Sequence, residues 1–308
     1  RAVAPGLTQA LFGVGSLDQV DPSTLRLRRL NNDVSERVNN IVAALRPLGP
    51  KGVAHAQLRV VREGDPRTEA RFYWNLVEDR AKGEMCVGFA RFLHTNGGVM
   101  AKASIERPRD MAGTRIQYPG APGKGGPAIV ATMVEADGGP TGTEDGYGRV
   151  NNSFYHTDAL AEDKADVATL VFHNFEIVEA THRGLDVRMF ALKDWGVPDF
   201  CQLVLITHPD KLAAERETFQ KLVRVLRRGV DAVKQEPDAA REAYFRLTGS
   251  DPEDALTRAI YDATVPCFTH DFSMSADYYR QLEGWMAERG LIDATPGADV
   301  YWTNDLAL

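Results

Sequence analysis

The chain has 308 residues, a formal net charge of −7, 44% hydrophobic and 26% charged residues. That length exceeds one ordinary core and suits two lobes of typical domain size. Scattered Lys and Arg under a net negative charge argue against nucleic acid as the main partner, and no apolar run reaches the roughly 18 residues of a membrane-inserted helix.

The chain opens on Arg1 without a methionine, which reads as a mature or trimmed form. Residues 1–24 are poorly periodic and read as an arm. Cys86, Cys201 and Cys267 include no CxxC pair, so neither a zinc site nor thioredoxin-like chemistry is expected. Cys86 and Cys201 sit in apolar, strand-like runs and read as small buried hydrophobes.

In chain order, Leu25–Leu30 reads as a short strand ended by Asn31-Asn32-Asp33, a turn or helix cap. A helix to about Leu45 follows, with Val34, Val38, Ile41, Val42 and Leu45 on one face. Gln57–Val61 is a second strand. Asp65-Pro66 is expected to open a helix that ends at Gly83. Met85–Phe89 is an apolar run of buried-strand type. The segment 106–113 reads as a short helix stopped by glycine, Thr114–Tyr118 as a strand, 119–126 as a Gly/Pro loop, and Pro127–Asp137 as a helix. Strands are expected at Arg149–Phe154, Thr169–Phe172 and Val187–Leu192, with helices between. From Asp210 the pattern turns helical: Lys211–Lys234 carries apolar residues at spacings of 3, 4 and 7, then Asp238–Leu247, Asp251–Val265 and Ser275–Arg289 follow. Alternating strands and helices imply a largely parallel sheet.

Three phrases carry a resemblance. Ile105-Glu106-Arg107-Pro108-Arg109-Asp110-Met111-Ala112-Gly113-Thr114-Arg115-Ile116 resembles the "I-x-x-P-x-D-L-x-G-K-x-I" segment of type II periplasmic solute-binding proteins, where the chain passes from the first lobe into the second. Lys193-Asp194-Trp195-Gly196-Val197-Pro198-Asp199-Phe200-Cys201 resembles the return, "D-Y-G-V-P-D-Y", of the branch that binds or makes the pyrimidine precursor of thiamine. Trp302-Thr303-Asn304-Asp305-Leu306 resembles the closing "T-N-E-x-L" of that branch. The resemblance covers roughly residues 85–308. It implies an α/β, two-lobed type II fold, each lobe a mixed, mostly parallel sheet flanked by helices, with the ligand cleft between lobes. Lobe 1 would comprise 1–104 plus 204–308, and lobe 2 would comprise 105–203. The branch's early "W-x-P-x-x-x-H" loop is replaced by Asn31-Asn32-Asp33-Val34-Ser35. The cysteine-rich motif and early lysine–histidine pair of the precursor-making enzymes are absent, so that activity is not carried over.

Ligands of open α/β sheets sit outside the carboxyl ends of the strands. The candidate ligand-binding residues are therefore Asn31, Asn32, Arg91, His94, Tyr118, Asn151, Asn152, Ser153, Tyr155, His156, His173, Asn174, Asp194 and Trp195. Arg91 suits a bidentate carboxylate contact, and otherwise a surface ion pair. The loop 120–126 brings backbone N–H groups and a helix start toward an anion, but lacks the Gly-Lys-Ser/Thr ending of a Walker motif. Asn151 to His156 offers donors, acceptors and rings, or plain capping duty. Glu176 would pair with His173 and raise its pKa, or favour a helix dipole. Trp195 would form an aromatic wall.

Two functions follow. One is a solute-binding protein that captures a small polar, aromatic or heterocyclic ligand by hinge closure for a membrane permease of an ABC-type importer, periplasmic or lipid-anchored outside the cell. The other is an enzyme on the same scaffold, a decarboxylase, desulfinase or cofactor-biosynthesis lyase with His94, His156 and His173 as candidate acid–base groups, placed in the cytoplasm. A ligand-sensing module is a variant of the first. No cofactor and no metal are called for: the three histidines lack paired spacing, and both the Gly-x-Ser-x-Gly elbow and the Rossmann fingerprint are missing.

Overall fold

The computed structural model describes residues 68–200 and 202–307. The chain divides into two compact units, 1–69 and 70–308, and the described residues belong almost wholly to the second. Asn31, Asn32, the strands expected at 25–30 and 57–61, the helix to Leu45, the Asp65-Pro66 opening and Cys201 lie outside the described residues.

The elements run β1 (Thr68–Phe72), α1 (Tyr73–Ala81), β2 (Val87–His94), β3 (Gly97–Lys102), β4 (Arg115–Gln117), α2 (Gly125–Ala136), β5 (Gly148–Val150), α3 (His156–Ala161), β6 (Val167–Phe172), α4 (Glu176–His182), β7 (Val187–Ala191) and β8 (Gln202–Thr207). Five helices close the chain: α5 (Pro209–Ala214), α6 (Arg216–Gln235), α7 (Pro237–Thr248), α8 (Ala255–Thr264) and α9 (Ala276–Glu288). Three departures from the sequence reading have physical reasons. Residues 68–72 form a strand, not the first turns of a helix, because they pair beside β8. Gly97–Lys102, hidden by its two leading glycines, is a fully paired strand between β6 and β7. The helix expected over 211–234 breaks at Glu215, whose backbone (φ −113°, ψ 26°) leaves the helical range.

The strands form a three-stranded sheet, β1-β8-β2, and a five-stranded sheet, β5-β4-β6-β3-β7. In the larger sheet β4 runs parallel to β5 and β6, while β3 runs antiparallel to both β6 and β7. The sheets are mixed, and the parallel character resides in the β5-β4-β6 half. The chain leaves the small sheet after His94 and enters the large one at Gly97, eight residues before the resembling phrase; it returns between Ala191 and Gln202.

One hydrophobic core spans both sheets. Residues 126–134 of α2 are all buried, as an almost wholly apolar helix must be. They pack with Ile116, Val99 and Val167 of the large sheet, and the same core includes Tyr73, Leu76, Val204, Tyr279 and Trp285. Helix α6 buries only Phe219, Val223 and Val230 and keeps its charged face in water. Gly113, at φ +74°, ends the 3₁₀ turn 108–111 as expected.

Two carboxylates pin the passage into the large sheet. Asp137 accepts from the Arg107 side chain (Nε to Oδ2 2.8 Å) and from the Arg109 backbone N–H (3.0 Å). Asp166 takes Arg115 bidentately, at 2.9 and 2.6 Å, and Lys102 at 3.1 Å. The Arg107 hydrogen bond holds Asp137, and the Arg115 hydrogen bonds hold Asp166, well below the usual carboxylate range. A carboxylate with a depressed folded pKa stabilises the fold above its unfolded pKa, about 4, and that contribution is lost as pH falls toward the folded value. The melting temperature is therefore expected to be flat with respect to these groups from pH 8 to 5 and to fall below about pH 4. Asp166→Asn should lower it at pH 7 and flatten the acid limb; an unchanged acid limb would rule the pair out as its cause.

Candidate functional site

Parallel strands end together. Gln117 of β4 is level with Val150 of β5 and Ala168 of β6, so the segments 118–126, 151–155 and 173–175 leave one edge of the sheet side by side. The antiparallel neighbours complete that edge: β3 begins there, Gly97 opposite Phe172, and β7 ends there, Ala191 opposite Gly98. The passages 94–96 and 192–199 thus flank the same edge. Topology alone gathers nearly every described candidate residue onto this line.

The organiser is Gln117, which is fully buried. Its Oε1 accepts from the Asn152 backbone N–H at 2.7 Å, and its Nε2 donates to the Ser153 carbonyl at 2.7 Å. Asn151 Oδ1 accepts from the Ser153 N–H at 3.0 Å, Asn151 Nδ2 donates to the Ala121 carbonyl at 3.2 Å, and Asn152 Nδ2 donates to the Tyr155 carbonyl at 3.1 Å. These bonds hold Ser153 at φ +54°, a conformation a non-glycine residue adopts only when its surroundings impose it. The 151–155 loop is thereby locked to the glycine-rich loop. Sequence gave no cue to Gln117, since a polar side chain on a three-residue strand reads as solvent-facing.

Tyr118 is buried and shapes the glycine-rich loop. Its hydroxyl donates to the Gly123 carbonyl, and its ring fills the space where a Cβ on Gly126 would stand, 2.4 Å from Cδ1. It supports the loop and presents little of its own surface. His156 is wholly buried at the start of α3, and Trp195 packs partly buried against the main core. Asp194 is exposed and Tyr155 half-buried.

At the centre of the edge, His173 Nδ1 lies 3.2 Å from the Asn96 backbone nitrogen. The same Nδ1 lies 3.3 Å from the Asn96 carbonyl and from Thr95 Oγ1, and Nε2 lies 3.9 Å from Cys267 Sγ. Burial pushes the Cys267 thiol up, which keeps it protonated at neutral pH and unlike an activated nucleophile. Asn174 is also fully buried: Thr95 Oγ1 donates to its Oδ1, and its Nδ2 donates to Thr264 Oγ1 at 2.9 Å. Glu176, expected to pair with His173, instead accepts from the Phe172 N–H at 3.0 Å, while His173 finds Thr95, Asn96 and Cys267. Among the described residues, no three His, Cys, Asp or Glu side chains gather to hold a metal ion.

His94 ends β2 with its side chain 39% exposed, and its Nε2 lies 2.5 Å from Asp199 Oδ2. This contact joins the outgoing passage to the returning one. Asp199 stood in the quoted Gly-Val-Pro-Asp phrase, although its pairing with His94 is a contact of the fold. Arg91, three residues earlier, belongs to the small sheet. It donates through Nη1 to Gln202 Oε1 at 2.9 Å and through Nη2 to the Asp271 carbonyl at 3.1 Å.

A family model described as "NMT1/THI5 like" matches residues 71–240, more than half of the chain. The chain belongs to the NMT1/THI5-like family. Two curated relatives of this NMT1/THI5-like chain are a formylaminopyrimidine-binding protein of Halalkalibacterium halodurans, 28% identical over 169 residues (51% of this chain, 49% of the relative), and a 4-amino-5-hydroxymethyl-2-methylpyrimidine phosphate synthase of Aspergillus parasiticus, 26% identical over 162 residues (49% and 47%). The chain thus spans about half the length of the curated relatives it matches. The alkanesulfonate-binding protein SsuA of Xanthomonas axonopodis pv. citri, solved bound to MOPS, superposes with a TM-score of 0.59 over 83% of this chain and 85% of its own, at 12% identity. The fold is that of the periplasmic binding proteins.

Proposed function

We propose that this protein is a solute-binding protein that holds a small heterocyclic ligand of the aminopyrimidine class against the gathered edge of the five-stranded sheet. The observation that carries this reading is the convergence of 94–96, 118–126, 151–155, 173–175 and 192–199 on one edge, with Gln117 fixing the polar loop. Asn151, Asn152 and Ser153 supply hydrogen-bonding groups there, and Tyr155 supplies a ring face. The His94–Asp199 contact marks the hinge, and the two sheets are the lobes that move about it. The chemical class of the ligand rests on the two pyrimidine-related relatives. Delivery to the permease of an ABC-type importer, and a periplasmic or extracellular location, belong to the same proposal.

The synthase relative is the observation behind a second reading, an enzyme acting on a pyrimidine. His173, whose ring is engaged by the Asn96 backbone, Thr95 and Cys267, is poorly placed to reach a ligand in that reading, which leaves the exposed His94 as its best-placed histidine.

The experiment is a thermal-shift screen over aminopyrimidines, followed by hydrogen exchange on the best binder. A hit recovered intact is expected, with stabilisation of about 2.7 kcal/mol at a hundredfold excess over Kd. A hit that is consumed moves the protein to the enzyme reading, and no hit among pyrimidines refutes the ligand class.

A further inference from the structure

We propose that the cavity at the junction of β2 and β8 binds a small oxyanion group, a carboxylate, sulfonate or phosphate, through Arg91, Gln202 and Ser275. It measures about 110 Å³, and its lining includes Tyr73, Arg91, Gln202, Asp271, Ser273 and Ser275. That is below the roughly 300 Å³ of a whole small-molecule pocket, and suits one headgroup.

Donors dominate its interior. Arg91 Nε is buried with no hydrogen-bond partner among the described residues. Gln202 is only 2% exposed, and its Oε1 is committed to Arg91, so the group it can offer an incoming ligand is the Nε2 donor. Ser275 stands at the start of α9 without capping it through its side chain. A buried donor left unmade costs about 1–3 kcal/mol; an oxyanion would relieve that cost at Arg91 Nε and take further hydrogen bonds from Gln202 and from the exposed Ser275 hydroxyl at the mouth. Burial pushes the Tyr73 hydroxyl up, so it brings no negative charge.

The one opposing group is Asp271. Its side chain is 69% exposed at the rim, and Oδ2 stands off Arg91 Nη2 at 3.5 Å while Oδ1 accepts from the Ser273 N–H at 2.8 Å. It sets an electrostatic limit on affinity without occupying the interior. Gln202 is the cross-strand partner of His94, so the cavity adjoins the hinge contact. The inference therefore deepens the binding-protein reading and rests on it: it gives the solute an acidic group held by the small sheet.

The test uses acetate, methanesulfonate and inorganic phosphate as probes and methylammonium as the opposite charge, read by thermal shift on the purified chain. At least one oxyanion is expected to raise the melting temperature. Arg91→Gln should weaken it about tenfold, the effect of losing one charge-assisted contact. Asp271→Asn should strengthen it, a sign that a merely structural role for either residue would not produce. Gln202→Leu serves if Arg91→Gln fails to fold. No response to any oxyanion, equal response in all variants, or preference for methylammonium would overturn the inference. Pyrimidine binding that is indifferent to these variants sinks the inference alone. Oxyanion binding with these signs but no pyrimidine hit sinks the ligand class proposed above and leaves the cavity assignment standing.

Discussion

Gly98→Ala is expected to destabilise the 70–308 unit by about 3 kcal/mol, the upper range for forcing atoms into a filled interior. A Cβ built on Gly98 would stand 2.5 Å from the Phe190 carbonyl oxygen and 2.8 Å from Met189 Cε. The nearer atom is backbone in the neighbouring strand, so it yields only if β3 and β7 separate. Strand β3 is paired on both sides, its residues 97–101 are buried, and it is where the chain enters the large sheet. Gly98 is also opposite Ala191, so the disturbance falls on the gathered edge itself. For a unit of this size the loss corresponds to roughly 6–12 °C in melting temperature. Gly229→Ala is the control. A Cβ there meets nothing within 4 Å, inside helix α6, and the gain in helix propensity should stabilise by about 0.5–1 kcal/mol. Urea midpoints of the two variants that moved together would contradict the steric account.

Trp285→Ala should cost about 4 kcal/mol, the usual loss for truncating a buried indole. Trp285 lies on α9, donates from Nε1 to Thr132 Oγ1 of α2 at 3.1 Å, and meets Trp74 edge-on at 5.3 Å between ring centroids. One turn on, Arg289 reaches Glu135 at 2.5 Å and Glu144 at 2.8 Å. Helix α9 thereby braces α2, whose start carries the glycine-rich loop. Trp285→Phe keeps most of the burial and removes the hydrogen bond, so it should cost only about 1–2 kcal/mol. Similar losses for Phe and Ala would mean that the hydrogen bond, and not the packing, holds the two helices together.

The alternation of strands and helices, the late helical third and the three resembling phrases were legible because each is local. Helix α2, with its apolar run, and helices α7 to α9, with their opening Asp or Ser, sit within a few residues of their expected bounds. What escaped was pairing. Strand β3 has two glycines where a strand pattern needs β-branched residues, and only its neighbours β6 and β7 make it a strand. Among the candidates, the Asn151–Ser153 cluster and His94 stand on the gathered edge as polar, accessible groups. Tyr118, His156 and Asn174 stand near it but are buried. Sequence shows residue type and place in the chain. Whether an amide is already satisfied, as in Asn174 by Thr95 and Thr264, is decided by residues up to 90 positions away. Gln117, Asp199 and Gln202 matter through such distant contacts, and no short motif announces them.

Hydrogen exchange with and without the best pyrimidine hit tests the central claim most directly. Slowed exchange is predicted in 94–97, 118–126, 151–156, 173–175 and 192–199 together, with the outer helices α6 and α7 unchanged. Protection confined to α6 and α7, or spread evenly over the 70–308 unit, would contradict a ligand site at the gathered edge.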